Sequence, residues 1–204
     1  MILELTNEIK EFLIKRDSCF ILLFKKYGFL RCSSDGDVFK AIVLHIIGQM
    51  LSKNAAQTIF NRFDSLCNHE ITPYRITELE REKIRKCGIS YSKADYILEF
   101  ANDYLRKKYD FSTLENMDEK SIISCLTKIK GVGKWTAEMI SLFVLGRTNV
   151  FSYDDVALRN GIMKCKHFRT LSKKRFEALR KKYSPFCSYA SLYFYKCNDD
   201  ADFK

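Results

Sequence analysis

The sequence predicts an all-α fold, because apolar residues recur at three- and four-residue steps along most of the chain. Only two prolines, Pro73 and Pro185, and eight glycines occur in 204 residues, so few positions force a helix to end. No convincing alternation of apolar and polar residues is long enough to build a sheet. With 47% hydrophobic residues, the chain can bury a sizeable core.

The predicted helices follow one another from the amino terminus. The first is predicted from a single apolar face, formed by Ile2, Leu5, Ile9, Phe12 and Leu13. Ser52 is expected to cap a helix that begins at Lys53, and Ser92 to cap one that runs to Tyr109. The other helices are predicted over residues 39–63, with a break near Ser52, and over residues 76–84, 118–129, 135–145, 152–163 and 173–182.

The charge and the cysteines limit the class of protein. Lysine and arginine total 35 against 25 acidic residues, a net charge of +10, which favours a polyanion such as nucleic acid as the partner. A soluble protein with a merely basic surface is an equally good alternative. No signal peptide or membrane-spanning run is predicted. The eight cysteines lack the close pairing of zinc or iron–sulfur sites, which favours reduced thiols inside a cell.

A glycine turn between two predicted helices is the first candidate for a binding site. Gly131 and Gly133 lack a Cβ atom, so another backbone can approach them closely. The amides of the following helix can bind a phosphate, with Lys134 as countercharge and Thr136 as hydroxyl donor. The alternative is an ordinary connection between two helices.

Two carboxylates follow this turn along the chain, Asp154 and Asp155. A group that grips a nucleic-acid backbone next to a carboxylate predicts chemistry on DNA as well as binding. The alternative is that both acids only cap the helix that starts here.

Segments in four parts of the chain then resemble one family in the same order, over roughly residues 39 to 196. They resemble the helix–hairpin–helix and Gly/Pro…Asp signature of base-excision DNA glycosylases, and most closely the alkylation-repair branch, DNA-3-methyladenine glycosylase II. The segments are Ile47-Gly48-Gln49-Met50-Leu51-Ser52-Lys53, Cys87-Gly88-Ile89-Ser90 with Lys93-Ala94, Gly131-Val132-Gly133-Lys134-Trp135-Thr136-Ala137, and Pro185-Phe186-Cys187-Ser188-Tyr189-Ala190. Cys187 stands where the family usually has an arginine.

The resemblance implies a two-lobed, all-α glycosylase fold with a helix–hairpin–helix motif. Residues from about 40 to 130 are expected to form the central lobe, and residues 1–39 with 131–204 the second. The hairpin and Asp155 are expected to face the cleft between the lobes. The amino-terminal β-rich lobe of the alkylation branch is expected to be missing, because the residues before Phe39 read as helical.

The resemblance also implies that Asp155 is the catalytic residue, while Ser152 or Asp154 caps the helix. A carboxylate under the deoxyribose stabilises the positive charge that develops as the glycosidic bond breaks. Trp135 occupies the position at which bifunctional members carry a lysine nucleophile. A monofunctional glycosylase without AP-lyase activity is therefore expected.

Further site residues are implied in the same way. Trp135, Met139 and Tyr195 are expected to line an electron-rich base pocket, although the family usually has an aromatic residue and a tryptophan at the last two positions. The DNA-binding residues are expected to be Gln49, Met50, Gly131, Gly133, Lys134 and Thr136. Met50 matches the wedge that fills the space of a flipped nucleotide, and flexible core filler is the equal alternative.

A monovalent cation, Na⁺ or K⁺, is implied at the main-chain carbonyls of Thr127, Ile129 and Val132, and no cofactor is expected to be required. The expected function is excision of 3-methyladenine and 7-methylguanine from double-stranded DNA, by a monomer that contacts no membrane. Its expected location is inside the cell, in a nucleus or in a bacterial or archaeal cytoplasm. The alternatives are a glycosylase for deaminated or oxidised bases and a non-catalytic binder of DNA structures.

Overall fold

The structure, a computed structural model, describes residues 2–203. Helices dominate these residues, which confirms the predicted all-α class. No helix among them has the length and apolar content that crossing a bilayer requires. The elements are, in order, β1 (Ile2–Glu4), α1 (Asn7–Arg16), α2 (Cys19–Tyr27), β2 (Arg31–Ser33), α3 (Val38–Gly48), α4 (Lys53–Leu66), α5 (Pro73–Thr77), α6 (Arg81–Lys86), α7 (Tyr91–Leu105), a short 3-10 helix (Leu114–Asn116), α8 (Glu119–Leu126), α9 (Lys134–Phe143), α10 (Val156–Lys166), α11 (Lys173–Tyr183) and α12 (Cys187–Asp199).

The amino-terminal residues differ from the prediction. Ile2 to Glu4 form β1, which pairs antiparallel with β2 so that Leu3 lies opposite Cys32. The first helix begins only at Asn7, because the Thr6 side chain accepts a hydrogen bond from the Ile9 amide (3.3 Å) and caps it. The helical reading of these first residues is therefore wrong, since Leu3 and Leu5 alternate as strand residues do.

Serine caps decide two other helix boundaries. Ser52 caps α4 at Lys53, as predicted, and its hydroxyl accepts from the Ala55 amide at 3.4 Å. The expected cap at Ser92 is wrong, because Ser90 caps α7 and accepts from the Lys93 amide at 3.4 Å. The single helix expected over residues 76–84 is two helices, α5 and α6.

The chain separates into two compact units. One is formed by the residues up to Asp35 together with those from Ser141 onward, and the other by Gly36–Ile140. The chain passes from one to the other within α9, whereas the sequence placed the change at the hairpin. The cleft between the lobes stays a prediction.

In the unit that contains both termini, α10 packs against α12 at very short range. A Cβ atom built on Gly161 of α10 would lie 1.9 Å from the carbonyl oxygen of Phe194 on α12. Only glycine allows this approach. Around the contact, Phe20, Tyr183, Tyr193 and Phe194 are fully buried, so α12 is the central helix of an aromatic core.

A buried carboxylate, Asp17, joins α11 to the end of α1 in the same unit. It accepts hydrogen bonds from Lys166 (2.6 Å), Tyr183 (2.8 Å) and Lys182 (3.0 Å). Burial by itself would raise the pKa of Asp17, but these hydrogen bonds lower it below its ordinary value. The charge is thus paired, as a buried charge must be.

We expect Gly161→Ala to destabilise the protein strongly, because the added methyl group must push α12 away from α10. The free energy of unfolding, measured with urea, should fall by about 3 kcal/mol. Gly133→Ala is the matched control, since nothing lies within 4 Å of its Cβ position. Equal stability of both variants would contradict the close packing.

Candidate active site

The glycine turn between α8 and α9 is a tight hairpin. Gly131 has a φ of +86°, and a Cβ atom on it would lie 2.7 Å from the Tyr96 ring. The Val132 amide donates to the Ile129 carbonyl at 3.0 Å, and the Gly133 carbonyl accepts from the Ala137 amide in the first turn of α9. A side chain at position 131 would therefore be excluded both by conformation and by space.

Contacts from the residue after α3 and from α7 hold the hairpin. The Gln49 side-chain amide donates to the Gly131 carbonyl at 2.8 Å. Lys130 donates to Glu99 on α7 at 2.9 Å. The amide nitrogen of Gln49 thus serves the protein itself, and a contact between Gln49 and DNA stays a prediction.

Two residues predicted to meet a phosphate differ in accessibility. The Lys134 side chain is 65% exposed and lies 3.6 Å from Glu138, one turn further along α9. Thr136 is only 2% exposed. A contact between Thr136 and a phosphate stays a prediction.

The carbonyl oxygens proposed for a monovalent cation are of the right chemical kind. Hard cations prefer oxygen ligands. The Ile129 carbonyl accepts from the Val132 amide, and a carbonyl oxygen has a second lone pair that a cation can use. Thr127 closes α8 as its C-terminal cap. Binding of Na⁺ or K⁺ by Thr127, Ile129 and Val132 stays a prediction.

The loop after α3 presents Met50 to solvent. Met50 is fully exposed and has a φ of +59°, an unusual conformation for a residue with a side chain. Lys93 fixes the loop, because its ammonium group donates to the carbonyls of Ile47 (2.9 Å) and Gln49 (2.6 Å). Burial lowers the pKa of Lys93. The alternative of Met50 as core filler is wrong.

On α9, Trp135 and Met139 are one turn apart and share a face. Trp135 is half-buried and Met139 is 3% exposed. His45 of α3 lies edge-to-face on Trp135, with ring centroids 6.1 Å apart. Burial lowers the pKa of His45, so its imidazole is neutral at pH 7. No pattern of residues in the sequence indicated this contact.

Asp155 is the amino-terminal cap of α10. Its Oδ1 atom accepts a hydrogen bond from the Leu158 amide at 2.8 Å, and its backbone is extended. The assignment of the cap to Ser152 or Asp154 is therefore wrong. Asp154 is exposed and precedes the helix, whereas Asp155 is 5% exposed.

The other carboxylate oxygen of Asp155 is also held. The Tyr195 hydroxyl group donates to Oδ2 at 3.2 Å. Tyr195 packs against Phe143, with ring centroids 5.8 Å apart, and both rings adjoin a cavity of about 330 Å³. The structure thus brings Asp155 and Tyr195 together. That Trp135 and Met139 share a pocket with them stays a prediction.

Ser188 anchors the loop that leads to Asp155. Its hydroxyl group accepts from the Val150 amide at 2.9 Å, and its own amide donates to the Thr148 carbonyl at 2.9 Å. The neighbouring Cys187 is buried, and its thiol donates to the Arg180 carbonyl at 3.2 Å. The segment around Ser188 therefore acts within the protein, by positioning the loop that leads to Asp155.

Known proteins show the same sequence pattern. The protein from Schizosaccharomyces pombe named alkylbase DNA glycosidase-like protein mag2 is 36% identical over 166 residues, which cover 78% of this chain and 76% of that protein. DNA-3-methyladenine glycosylase 1 of the same organism is 30% identical over 169 residues, covering 81% and 74% of the two chains.

Solved structures share the fold. A DNA-3-methyladenine glycosidase from Bacillus halodurans superposes with a TM-score of 0.82 at 28% identity, over 97% of this chain and 92% of that one. The S. pombe 3-methyladenine DNA glycosylase Mag1, solved in complex with abasic DNA, gives a TM-score of 0.79 at 27% identity, over 97% and 100%.

Residues 43–185 match the family described as HhH-GPD superfamily base excision DNA repair proteins. This range includes Met50, the glycine hairpin, Trp135 and Asp155. The chain belongs to the HhH-GPD superfamily of base excision DNA repair proteins.

Proposed function

We propose that the protein is a monofunctional DNA glycosylase that hydrolyses the N-glycosidic bond of alkylated purines, chiefly 3-methyladenine and 7-methylguanine, in duplex DNA. The observation that carries the proposal is the buried Asp155 carboxylate, held at the start of α10 by Leu158 and Tyr195. The names of the relatives, DNA-3-methyladenine glycosylase among them, support the substrate class.

The carboxylate acts on the sugar. As the glycosidic bond breaks, positive charge develops on the deoxyribose, and a fixed negative charge beside it lowers the barrier. The Leu158 amide lies at the positive end of α10, and the two hydrogen bonds fix the direction of the Asp155 carboxylate. No reorganisation is then needed when the sugar becomes charged.

The departure of the base requires less catalytic assistance than the formation of the charged sugar. An alkylated purine carries positive charge and departs as a neutral molecule, so a general acid is not required. The π faces of Trp135 and Tyr195 attract such a cation more strongly than they attract an undamaged base. Beside Trp135, the neutral imidazole of His45 adds no positive charge that would repel the lesion.

The residues of α9 support the monofunctional subtype. A Schiff-base mechanism needs an amine that attacks the sugar, and the matching position carries Trp135. Lys134, its neighbour, is exposed and lies beside Glu138. Water is therefore the proposed nucleophile, and the product is an abasic site in an uncut strand.

Met50 is proposed as the wedge. A left-handed conformation costs a residue with a Cβ atom about 1 kcal/mol, and full exposure of an apolar side chain brings no compensating burial within the protein. Insertion between bases would bury it. The hydrogen bonds of Lys93 and Gln49 hold the loop in place, so that Met50 can be inserted without moving its backbone.

Asp155→Asn should abolish base release while the fold and DNA affinity remain. Asparagine caps helices as well as aspartate does, so the change removes the charge and keeps the start of α10. We expect single-turnover release of 3-methyladenine to slow by about 10²-fold or more. Asp154→Asn, a change of the exposed neighbour, should release base at the normal rate. Equal loss of binding and release would refute the catalytic role.

Borohydride should trap no covalent adduct between the protein and lesion-containing duplex, because no Schiff base forms at Trp135. A bifunctional glycosylase on an oxidised-base duplex serves as the positive control. The products are followed on denaturing gels. A trapped adduct, or strand cleavage without alkali, would show lyase chemistry.

Met50→Ala should slow release from duplex DNA by about tenfold, which corresponds to roughly 1.4 kcal/mol of barrier, and leave release from single strands nearly unchanged. The reason is that only a duplex has a stack to fill. Leu105→Ala, at another exposed apolar residue of the same unit, is the control. An equal effect on both substrates would argue against a wedge.

A further inference from the structure

Two cations gather on one aromatic ring close to Asp155. The Arg159 guanidinium carbon lies 5.2 Å from the ring centroid of Tyr153, and the Lys173 ammonium nitrogen lies 5.8 Å from it. The ring is fixed edge-to-face against Phe176, with centroids 5.2 Å apart. Tyr153 precedes Asp155 by two residues, so the positive charges belong to the same corner of this unit as the catalytic carboxylate.

Carboxylates do not compensate these charges. Within residues 2–203, neither Arg159 nor Lys173 makes an ion pair, and the buried Nε atom of Arg159 has no hydrogen-bond partner there. Glu177 lies four residues after Lys173, at the spacing of a helical ion pair, but it pairs with Arg180 at 2.7 Å. Asp154 is exposed nearby and pairs with neither cation in this part of the chain.

The helix to which Lys173 belongs adds to the positive potential. Lys173 is the first residue of α11, and its first turn contains Lys174 and Arg175 but no acid. The amino-terminal end of a helix carries partial positive charge and favours acids. The three cations in the first turn of α11 oppose that preference, so they do not stabilise the isolated protein. A bound anion at this position would neutralise their charges and interact favourably with the end of the helix.

We propose that Arg159 and Lys173, with the positive end of α11, bind a phosphate of the DNA strand whose sugar meets Asp155. The proposal rests on the proposed function in one respect, that DNA is the partner. A deoxyribose that approaches Asp155 brings its phosphates with it, and these repel the carboxylate. Cations beside Asp155 offset that repulsion, and Tyr153 holds both at a fixed distance.

The test compares binding of variants to undamaged duplex at increasing salt. Lys173→Ala should weaken binding about five- to tenfold at 100 mM salt and reduce the slope of log K against log salt by about 0.9, the value for one released counterion contact. Arg159→Gln should act in the same direction, and Arg159→Lys should restore the slope. Lys181→Ala is the matched control, since this exposed lysine lies near the other end of the same helix.

Unchanged slopes in Lys173→Ala and Arg159→Gln would overturn the proposal, and so would an equal loss in Lys181→Ala, which would indicate only a generally basic surface. Circular dichroism of each variant separates loss of contact from loss of fold, and Lys173 is exposed enough for its removal to be harmless. Because undamaged duplex undergoes no chemistry, a wild-type protein that shows these slopes but releases no base would refute the proposed function and leave the phosphate site standing.

Discussion

The hydrogen bond from the Leu158 amide to the Asp155 carboxylate fixes the point at which α10 begins, and the unit that contains both termini is arranged around that point. α10 can pack on α12 because Gly161 lets the backbones meet at Phe194. Tyr195 of α12 in turn donates a hydrogen bond from its hydroxyl group to the second carboxylate oxygen of Asp155. The carboxylate, the two helices and the tyrosine form a closed chain of contacts, and each of them orients the next.

The other unit contains the hairpin and the exposed Met50, which we propose to contact DNA. The hairpin and the loop at Met50 are connected, since the Gln49 side chain donates to the Gly131 carbonyl and Lys93 donates to the Gln49 carbonyl. Each unit contains the start of a helix that begins with a lysine and has no acid in its first turn: Lys134 begins α9 and Lys173 begins α11. These helices lack the acidic side chains that stabilise a helix amino terminus, at positions where a polyanion is expected to bind.

The sequence predicted the features that depend on local chemistry. Helical periodicity, the Ser52 cap and the glycine hairpin follow from residue types at fixed spacing. It failed where two nearby residues offer the same chemistry: Ser90 and Ser92 are equal candidates for a cap until the backbone dihedral angles decide. The amino-terminal strand was missed because it is short and its partner lies beyond α2.

Contacts between distant segments could not be predicted at all. Lys93 reaches carbonyls more than forty residues earlier in the chain, and main-chain carbonyls leave no mark in a sequence. The meeting of Arg159 and Lys173 on Tyr153 likewise depends on how α10 and α11 pack. For Asp155, the catalytic role stays a proposal, whereas the helix cap, which the sequence assigned to Ser152 or Asp154, is formed by Asp155 itself.

The two roles proposed for Asp155, helix cap and catalytic residue, have an evolutionary consequence. A residue that both caps a helix and takes part in catalysis is under two selective pressures. If selection for catalysis is lost, selection for stability remains. A descendant of this protein that had lost its enzymatic activity would still lose folding stability if Asp155 were exchanged for alanine, by about 1 kcal/mol. Persistence of an aspartate at this position in a lineage is therefore no proof of enzymatic activity. Drift to asparagine or serine, which keep the cap and discard the charge, would be the more informative sign that a branch had turned to another use.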